Sequence, residues 1–207
     1  YIYLFKYKRV LLLQMTTPKH IGVVTPIYNN LHSKDLLIHN MSHQTYPHDN
    51  ITLYILDYSD NKDLSFFEII KSIKKSLSDI KLKYRKIEKT NIGKVRNTLV
   101  KCVEESIVCH MDVNCFYDKD YINDSVNKLN ENNQKIVICN KYRTLFIDDD
   151  FDSWKITNVD ISENFEPSMT YTKKYYKANT GFDNKIQQNE GYKLLNPKNI
   201  SKLEKEY

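Results

Sequence analysis

An α/β fold with a mostly parallel central sheet flanked by helices is predicted for this chain of 207 residues. From about residue 20 onward, short apolar runs alternate with segments whose apolar residues recur at helical spacing, which is typical of parallel strands joined by crossover helices. Polar residues follow several of these runs, at the strand ends where open parallel sheets bind ligands. The four glycines form neither a Gly-x-Gly-x-x-Gly fingerprint nor a Walker loop, which disfavours a dinucleotide dehydrogenase or a P-loop enzyme.

The first strands and helices are each predicted from a distinct local pattern. The run HIGVVTPIY (20–28) indicates a buried strand that Pro26 ends, because proline has no N–H to give to the ladder. A helix over 31–41 and a second strand, ITLYILD (51–57), follow. The next helix is amphipathic, with apolar residues three and four positions apart: Leu64, Phe67, Ile70, Ile73 and Leu77.

The same alternation predicts three further strands and two further helices. LKYRKIE (82–88) alternates as a third strand, and SIVCHMD (106–112) is a fourth, apolar strand. Helices are predicted over 95–103 and 121–129, and KIVIC (135–139) is the fifth strand. Beyond that strand the pattern becomes irregular.

Composition limits the class of protein. The 41% hydrophobic and 28% charged residues are typical of a globular protein, and the length suits one domain better than two. The net charge of +5 comes from scattered lysines, so we expect a solvated surface and no nucleic-acid partner. A zinc site is not expected because the cysteines form no Cys-x-x-Cys pair, and reduced thiols in a cytoplasmic protein fit best, with disulfides as the alternative: Cys102, Cys109, Cys115 and Cys139.

Residues 1–19 are predicted to be an N-terminal extension without chemistry, and residues 20–207 a single domain. The segment YIYLFKYKRVLLLQM is apolar but is interrupted by Lys6, Lys8 and Arg9, so no stretch reaches the roughly 20 residues of a transmembrane helix. It also lacks a small-residue signal cleavage site. An extra strand, a short helix on a membrane surface and sequence foreign to the domain are all compatible with it, and a peripheral extension is preferred.

Four segments, taken in order, resemble the successive blocks of family 2 glycosyltransferases: VVTPIYNN (23–30), QTYPHDNITLYILDYSDN (44–61), NIGKVRNTLVKCVEESIVCHMDVNCFYDKDYI (91–122) and TGFDNKIQQNEGYKLL (180–195). The resemblance implies a GT-A-like fold, with a nucleotide-binding half (20–117) and an irregular acceptor half (118–207). It also implies transfer of a sugar from a nucleotide-sugar donor, expected to be a UDP-sugar, to a hydroxyl of a glycan or protein acceptor, with inversion.

The resemblance places nucleotide-binding residues at strand ends and at one helix start. Thr25 would lie against the base, Asp57 would accept from a ring N–H, and Tyr58 replaces the family's second acid and is a candidate for stacking. The step GKVRN (93–97) opens a helix whose unpaired backbone N–H groups favour phosphate. Strand-end turns and a solvated basic helix face are the competing interpretations. The expected nucleotide-binding residues are Thr25, Pro26, Tyr28, Asp57, Tyr58, Lys94, Arg96, Asn97 and Asp112.

Asp112 and Asn114 correspond to the metal-binding step of the family. Mg²⁺ or Mn²⁺ bridging the diphosphate of the donor would neutralise the charge of the leaving group, and hard oxygen ligands from the protein would hold the ion. Asn114 offers a carbonyl oxygen but no charge where the family has an acid. Weakened metal binding is therefore expected, and a plain turn is the alternative.

The last block carries the expected catalytic base. Glu190 is the carboxylate that remains where the family has an acidic pair, because Gly191 replaces the second acid, and Asp183 is the fallback. The base would take a proton from the acceptor hydroxyl as its oxygen attacks the anomeric carbon. The competing interpretation of Glu190 is a helix N-terminal residue that interacts favourably with the dipole.

A catalytically silent GT-A-like module that binds a carbohydrate or a protein is the competing function. Three departures from the family favour it, because Tyr58, Asn114 and Gly191 each replace an acid. Few residues follow the expected base, so a second copy of the chain in a homodimer, or a further domain, would be needed to complete the acceptor region.

Overall fold

The computed structural model describes residues 18–29, 34–60, 65–131, 135–139, 141–147, 154–160, 166–185, 191, 194 and 200–203. Within these ranges the elements are β1 (Ile21–Ile27), α1 (Lys34–Ser42), β2 (Ile51–Asp57), α2 (Ser65–Ser76), β3 (Lys81–Lys86), α3 (Ile92–Cys102), β4 (Ile107–His110), α4 (Tyr121–Asn130), β5 (Ile136–Cys139), β6 (Lys141–Ile147), β7 (Trp154–Asp160), β8 (Thr170–Thr172), α5 (Lys173–Ala178) and β9 (Ile200–Leu203).

The main sheet has the strand order β3-β2-β1-β4-β8-β5-β9. Its strands pair in parallel except at β8, which is antiparallel to both β4 and β5. Strands β6 and β7 form a separate antiparallel pair. The predicted α/β class and the mostly parallel sheet are therefore confirmed, and β6 to β9 lie in the part of the chain where no periodic pattern was visible.

Pro26 does not end the first strand, which corrects the sequence-based prediction. The β1 strand continues to Ile27, which pairs with Asp57 of β2. The pairing of β1 with β4 stops two residues before Pro26, at Val24 opposite His110. Pro26 is therefore tolerated because β1 has no neighbour on its β4 side at that position, so the missing N–H leaves no ladder bond unmade.

Both faces of the sheet are covered, which is why every residue of β1 and β2 is buried. Ile21, Val23 and Leu53 belong to the core on one face, whereas Val24 and Tyr54 belong to the core on the other. Parallel sheets require such cover because crossover helices pack on both sides. The central strands are therefore held firmly, and their carboxyl ends form a rigid edge.

No helix within the described ranges is long and apolar enough to cross a bilayer.

Candidate functional site

The carboxyl ends of β1, β2 and β4 bring the predicted site residues to one edge of the sheet. These three strands are parallel neighbours, with β1 between the other two. Tyr28, Tyr58 and Asp112 lie one or two residues beyond the strand ends. A backbone hydrogen bond of 3.1 Å from Met111 N to Val24 O joins the residue after β4 to β1 at this edge.

Thr25 and Pro26 are buried within this edge. The hydroxyl of Thr25 donates a hydrogen bond of 2.7 Å to the carbonyl oxygen of Met111. Any contribution of Thr25 to nucleotide binding therefore acts through the position of the segment that leads into Asp112, because the side chain itself has no exposed surface.

Asp57 is also fully buried, and its carboxylate is bonded within the chain. Oδ1 accepts from the backbone N–H of Ser59 at 2.8 Å, and Oδ2 accepts from the hydroxyl of Tyr84 at 3.2 Å. The ammonium of Lys86 lies 3.6 Å from Oδ2. Burial, and secondarily the negative charge of Asp57, raises the pKa of Tyr84. Asp57 therefore organises the ends of β2 and β3.

Tyr28 and Tyr58 form a stacked aromatic pair at the same edge. Their ring centres are 5.0 Å apart, the planes differ by 28°, and both residues are partly exposed. The Tyr28 hydroxyl donates to Asp60 at 3.0 Å, and Asp60 also binds Lys89 at 2.7 Å. Lys89 Nζ lies 5.2 Å from the centre of the Tyr28 ring. The pair is a platform on which a planar ring can stack.

Arg96 and Asp112 form a bidentate ion pair at the end of β4. Arg96 Nη1 donates to Oδ1 at 2.9 Å and Nη2 to Oδ2 at 2.8 Å. The side chain of Arg96 is 4% exposed and that of Asp112 is 14% exposed. Arginine suits this geometry because its planar fork matches a carboxylate. Lys94, two residues earlier on α3, is exposed to solvent.

His110 extends the hydrogen bonds of the Arg96–Asp112 pair into the core. Arg96 Nη1 donates to His110 Nδ1 at 3.1 Å, so the ring proton lies on Nε2, which is 2.7 Å from the Tyr171 hydroxyl. Burial, and then the adjacent charge of Arg96, holds the pKa of His110 well below the ordinary value of 6.5. Sequence reasoning missed His110 because an apolar strand pattern gives no sign of its partners.

The neutral His110 ring should make the free energy of unfolding depend on pH. The unfolded chain binds a proton near pH 6.5 but the folded ring does not, so the stabilisation is complete above that pH. This stabilisation decreases as the pH falls below 6.5. The decrease ends once the pH is below the lower pKa of the folded His110 ring. We expect a decrease of up to about 1.4 kcal/mol per pH unit.

Urea unfolding of the wild type and of His110→Gln between pH 7.5 and pH 5 measures this dependence. The His110→Gln slope should be flatter, whereas His43→Gln, which changes an exposed histidine, should retain the wild-type slope. Equal slopes for His110→Gln and the wild type would contradict the assignment.

Asn97 holds the segment 181–184, and its amide is fully used in doing so. Nδ2 donates to Phe182 O and to Asn184 Oδ1, both at 2.8 Å. Oδ1 accepts from Phe182 N at 2.9 Å and from the Tyr176 hydroxyl at 2.5 Å. Asn97 therefore binds the chain itself, where the resemblance had placed a nucleotide contact.

The segment that Asn97 holds has unusual backbone geometry. Thr180 has a φ of 62° and Gly181 a φ of 74°, both in the left-handed region. A Cβ on Gly181 would lie 2.7 Å from Asn97 Oδ1, so only glycine fits. Asp183, the fallback base, follows this turn, and its Oδ1 accepts from Lys185 N at 2.9 Å. Glu190 lies outside the described residues.

The donor groups fit a divalent cation only if the substrate supplies most of the ligands. Asp112 already binds Arg96 with both oxygens, and Asn114 is exposed, with its Oδ1 3.6 Å from Cys115 Sγ. Among the residues that the structure describes, no three His, Cys, Asp or Glu side chains are grouped to hold a metal ion. Mg²⁺ and Mn²⁺ are commonly held by one or two protein oxygens together with substrate phosphates, so a cation bound with a diphosphate remains compatible with this site.

The sequence matches the family described as glycosyl transferase family 2 over residues 22–193. None of the curated proteins matches it. Among solved structures, a mannosyltransferase PcManGT from Pyrobaculum calidifontis in complex with GDP-Man and Mn²⁺ is similar with a TM-score of 0.67 at 13% identity, over 86% of this chain and 51% of that one.

S. aureus TarS provides a second structural match. Its residues 1–349 in complex with UDP-GlcNAc give a TM-score of 0.67 at 18% identity, covering 90% of this chain and 57% of that one. A further TarS structure gives a TM-score of 0.68 at 19% identity, over 90% of this chain and 36% of that one. The chain thus spans about half or less of the length of these structures, and the likeness shows a shared GT-A fold.

Proposed function

Because the chain belongs to glycosyl transferase family 2, we propose that it transfers a sugar from a nucleotide-sugar donor, with a UDP-sugar as the expected class, to an acceptor hydroxyl. The observation that carries the proposal is the convergence of an aromatic platform, a buried arginine–carboxylate pair and a strained loop at one sheet edge. The GDP-Man bound in the PcManGT structure and the UDP-GlcNAc bound in the TarS structure support a nucleotide-sugar as substrate.

Different residues at this edge bind different parts of the donor. The base stacks on Tyr28 and Tyr58, and its recognition relies less on Asp57, whose carboxylate is bonded within the chain. The exposed ammonium of Lys94, on the first turn of α3, attracts the diphosphate. The Arg96–Asp112 ion pair fixes the shape of the site where Asp112 lies. Orientation of both substrates supplies much of the expected acceleration.

Asp112 and Asn114 are the residues that would hold Mg²⁺ or Mn²⁺. When bound, the ion would neutralise charge on the departing diphosphate. On the acceptor side, Glu190 is the proposed base and Asp183 the alternative, and a single displacement of this kind inverts the anomeric carbon.

Thermal unfolding with a panel of nucleotides and nucleotide-sugars, with and without Mn²⁺, tests donor binding. We expect a rise in Tm with UDP-sugars, because a ligand that binds only the folded state stabilises it. The Tyr28→Ala variant should lose most of this rise, whereas Tyr28→Phe keeps the ring and should retain it. No rise with any nucleotide in the wild type would refute donor binding.

Asn114→Asp should tighten Mn²⁺ binding in the presence of UDP by roughly tenfold, because it adds a charge to a hard oxygen ligand. The midpoint of a Mn²⁺ titration, followed by the Tm in saturating UDP, measures the change. Asn114→Gln keeps the neutral amide and serves as the control. Unaltered metal affinity in Asn114→Asp would favour a plain turn at this position.

A silent binding module is the second candidate, and the bonded carboxylates of Asp57 and Asp112 favour it. Such a module would consume no donor. Following the release of nucleoside diphosphate from UDP-sugars distinguishes the two functions. In an active enzyme Glu190→Gln should lose turnover, and unchanged turnover would remove Glu190 as the base.

A further inference from the structure

A buried carboxylate that the proposed function does not use lies at the same sheet edge. Glu166 opens a short 3₁₀ turn, Glu166–Ser168, just before β8, and the residue is only 6% exposed. Glutamate is rarely buried unless its charge is paired or bonded. Its Oε1 accepts a hydrogen bond of 3.0 Å from the backbone N–H of Gly191.

The turn that contains Glu166 is fastened to the end of β4. His110 N donates to Met169 O at 2.9 Å, which extends the β4–β8 pairing by one residue. The hydroxyl of Tyr117 donates to Pro167 O at 2.9 Å and accepts from Asp112 N at 2.8 Å. One tyrosine therefore joins the backbone of Asp112 to the residue that follows Glu166, and the two carboxylates belong to one edge.

The side chain of Glu166 fills the space that a side chain at position 191 would need. A Cβ on Gly191 would lie 3.0 Å from Glu166 Cγ and 3.1 Å from Glu166 Oε1. It would also lie 2.7 Å from Cε of Met169, the flexible end of a side chain. The backbone of Gly191 has no positive φ, so space and not conformation excludes a larger residue there.

We propose that Glu166 fixes the position of the backbone at Gly191: its carboxylate, delivered from the turn before β8, holds Gly191 against the sheet edge that carries Asp112. The proposal rests on the proposed function, because the positioned segment directly follows the proposed base in sequence. Glu166 is a positioning residue that acts through Gly191. Glycine at position 191 is then explained by the space that Glu166 occupies and is not by itself a sign of lost activity.

The test removes the carboxylate at position 166 and fills the space at position 191, singly and together. The variants are Glu166→Ala, Gly191→Asp and the double variant Glu166→Ala/Gly191→Asp, and the readout is nucleoside diphosphate released from UDP-GlcNAc and GDP-mannose. We expect Glu166→Ala to lower kcat about tenfold with little change in donor KM, because misplacement of reacting groups affects the chemical step. Gly191→Asp alone should be at least as impaired, since its side chain collides with Glu166. The double variant should be no more active than Glu166→Ala, because a side chain at position 191 does not supply the acceptor that Glu166 offers to the backbone N–H there.

Glu166→Gln is the matched control. Its amide oxygen can still accept from Gly191 N, so kcat should lie above that of Glu166→Ala. A double variant more active than Glu166→Ala, or wild-type kcat in Glu166→Ala, would overturn the proposal and leave the transferase assignment intact. A wild type that turns over neither donor would overturn both, and the Tm panel then shows whether donor binding itself fails.

Discussion

Arg96→Met is expected to lower the free energy of unfolding by about 3–5 kcal/mol, because it leaves the mostly buried carboxylate of Asp112 without its guanidinium. The same change removes the hydrogen bond that Arg96 gives to His110 Nδ1. A typical domain has only about 5–15 kcal/mol of stability, so this loss is a large share of the total. Urea unfolding at pH 7.5 measures it directly.

Two further variants decide whether the ion pair is the cause. Arg96→Met/Asp112→Asn removes both charges and should recover part of the loss, since no unpaired charge remains buried. Lys94→Met removes an exposed positive charge two residues earlier on α3 and should stay within about 0.5 kcal/mol of the wild type. A loss below about 1 kcal/mol in Arg96→Met would show that Asp112 is well solvated without its partner.

Asn97→Ala is expected to cost about 2–4 kcal/mol of unfolding free energy, because it leaves Phe182 N and Phe182 O without their amide partner in a buried turn. The left-handed geometry at Thr180 and Gly181 loses its main support at the same time. Urea unfolding gives the size of the effect, and donor turnover should fall with it because Asp183 lies in the released turn.

The neighbouring Thr98→Ala is the matched control for Asn97→Ala. Thr98 is on the same helix, but its hydroxyl bonds to Lys94 O within that helix. It should therefore change stability by no more than about 0.5 kcal/mol. Equal losses in the two variants would mean that damage to α3, and not release of the turn, explains the result.

The strands β1 to β5 and the helices between them were predictable because each carries a local periodic pattern. The strand ends followed from these patterns, which is why Thr25, Asp57 and Asp112 were expected at one edge. Strand β8 was not predictable, because three residues are too few for a period and its pairing with β4 spans about sixty positions.

The partners of the site residues were also beyond prediction from local sequence. Asn97 was expected among the nucleotide-binding residues, and its amide bonds to a segment 85 residues away. Glu166 lies in a stretch without a motif, and its importance comes from Gly191, 25 residues later. Such contacts depend on which segments the fold brings together. No local pattern in a single sequence shows which distant segments will meet.

Strand β8 has a consequence for the order in which the chain folds. The strands of the β3-β2-β1-β4 unit all lie between Ile21 and His110, whereas β8 lies at Thr170–Thr172 and pairs with β4 and β5. On the ribosome, the first four strands can therefore assemble while the rest of the chain is still being made. The edge that carries Glu166 and the turn at Gly181 is completed last, so a truncated chain would retain a folded base-binding platform without a finished acceptor side.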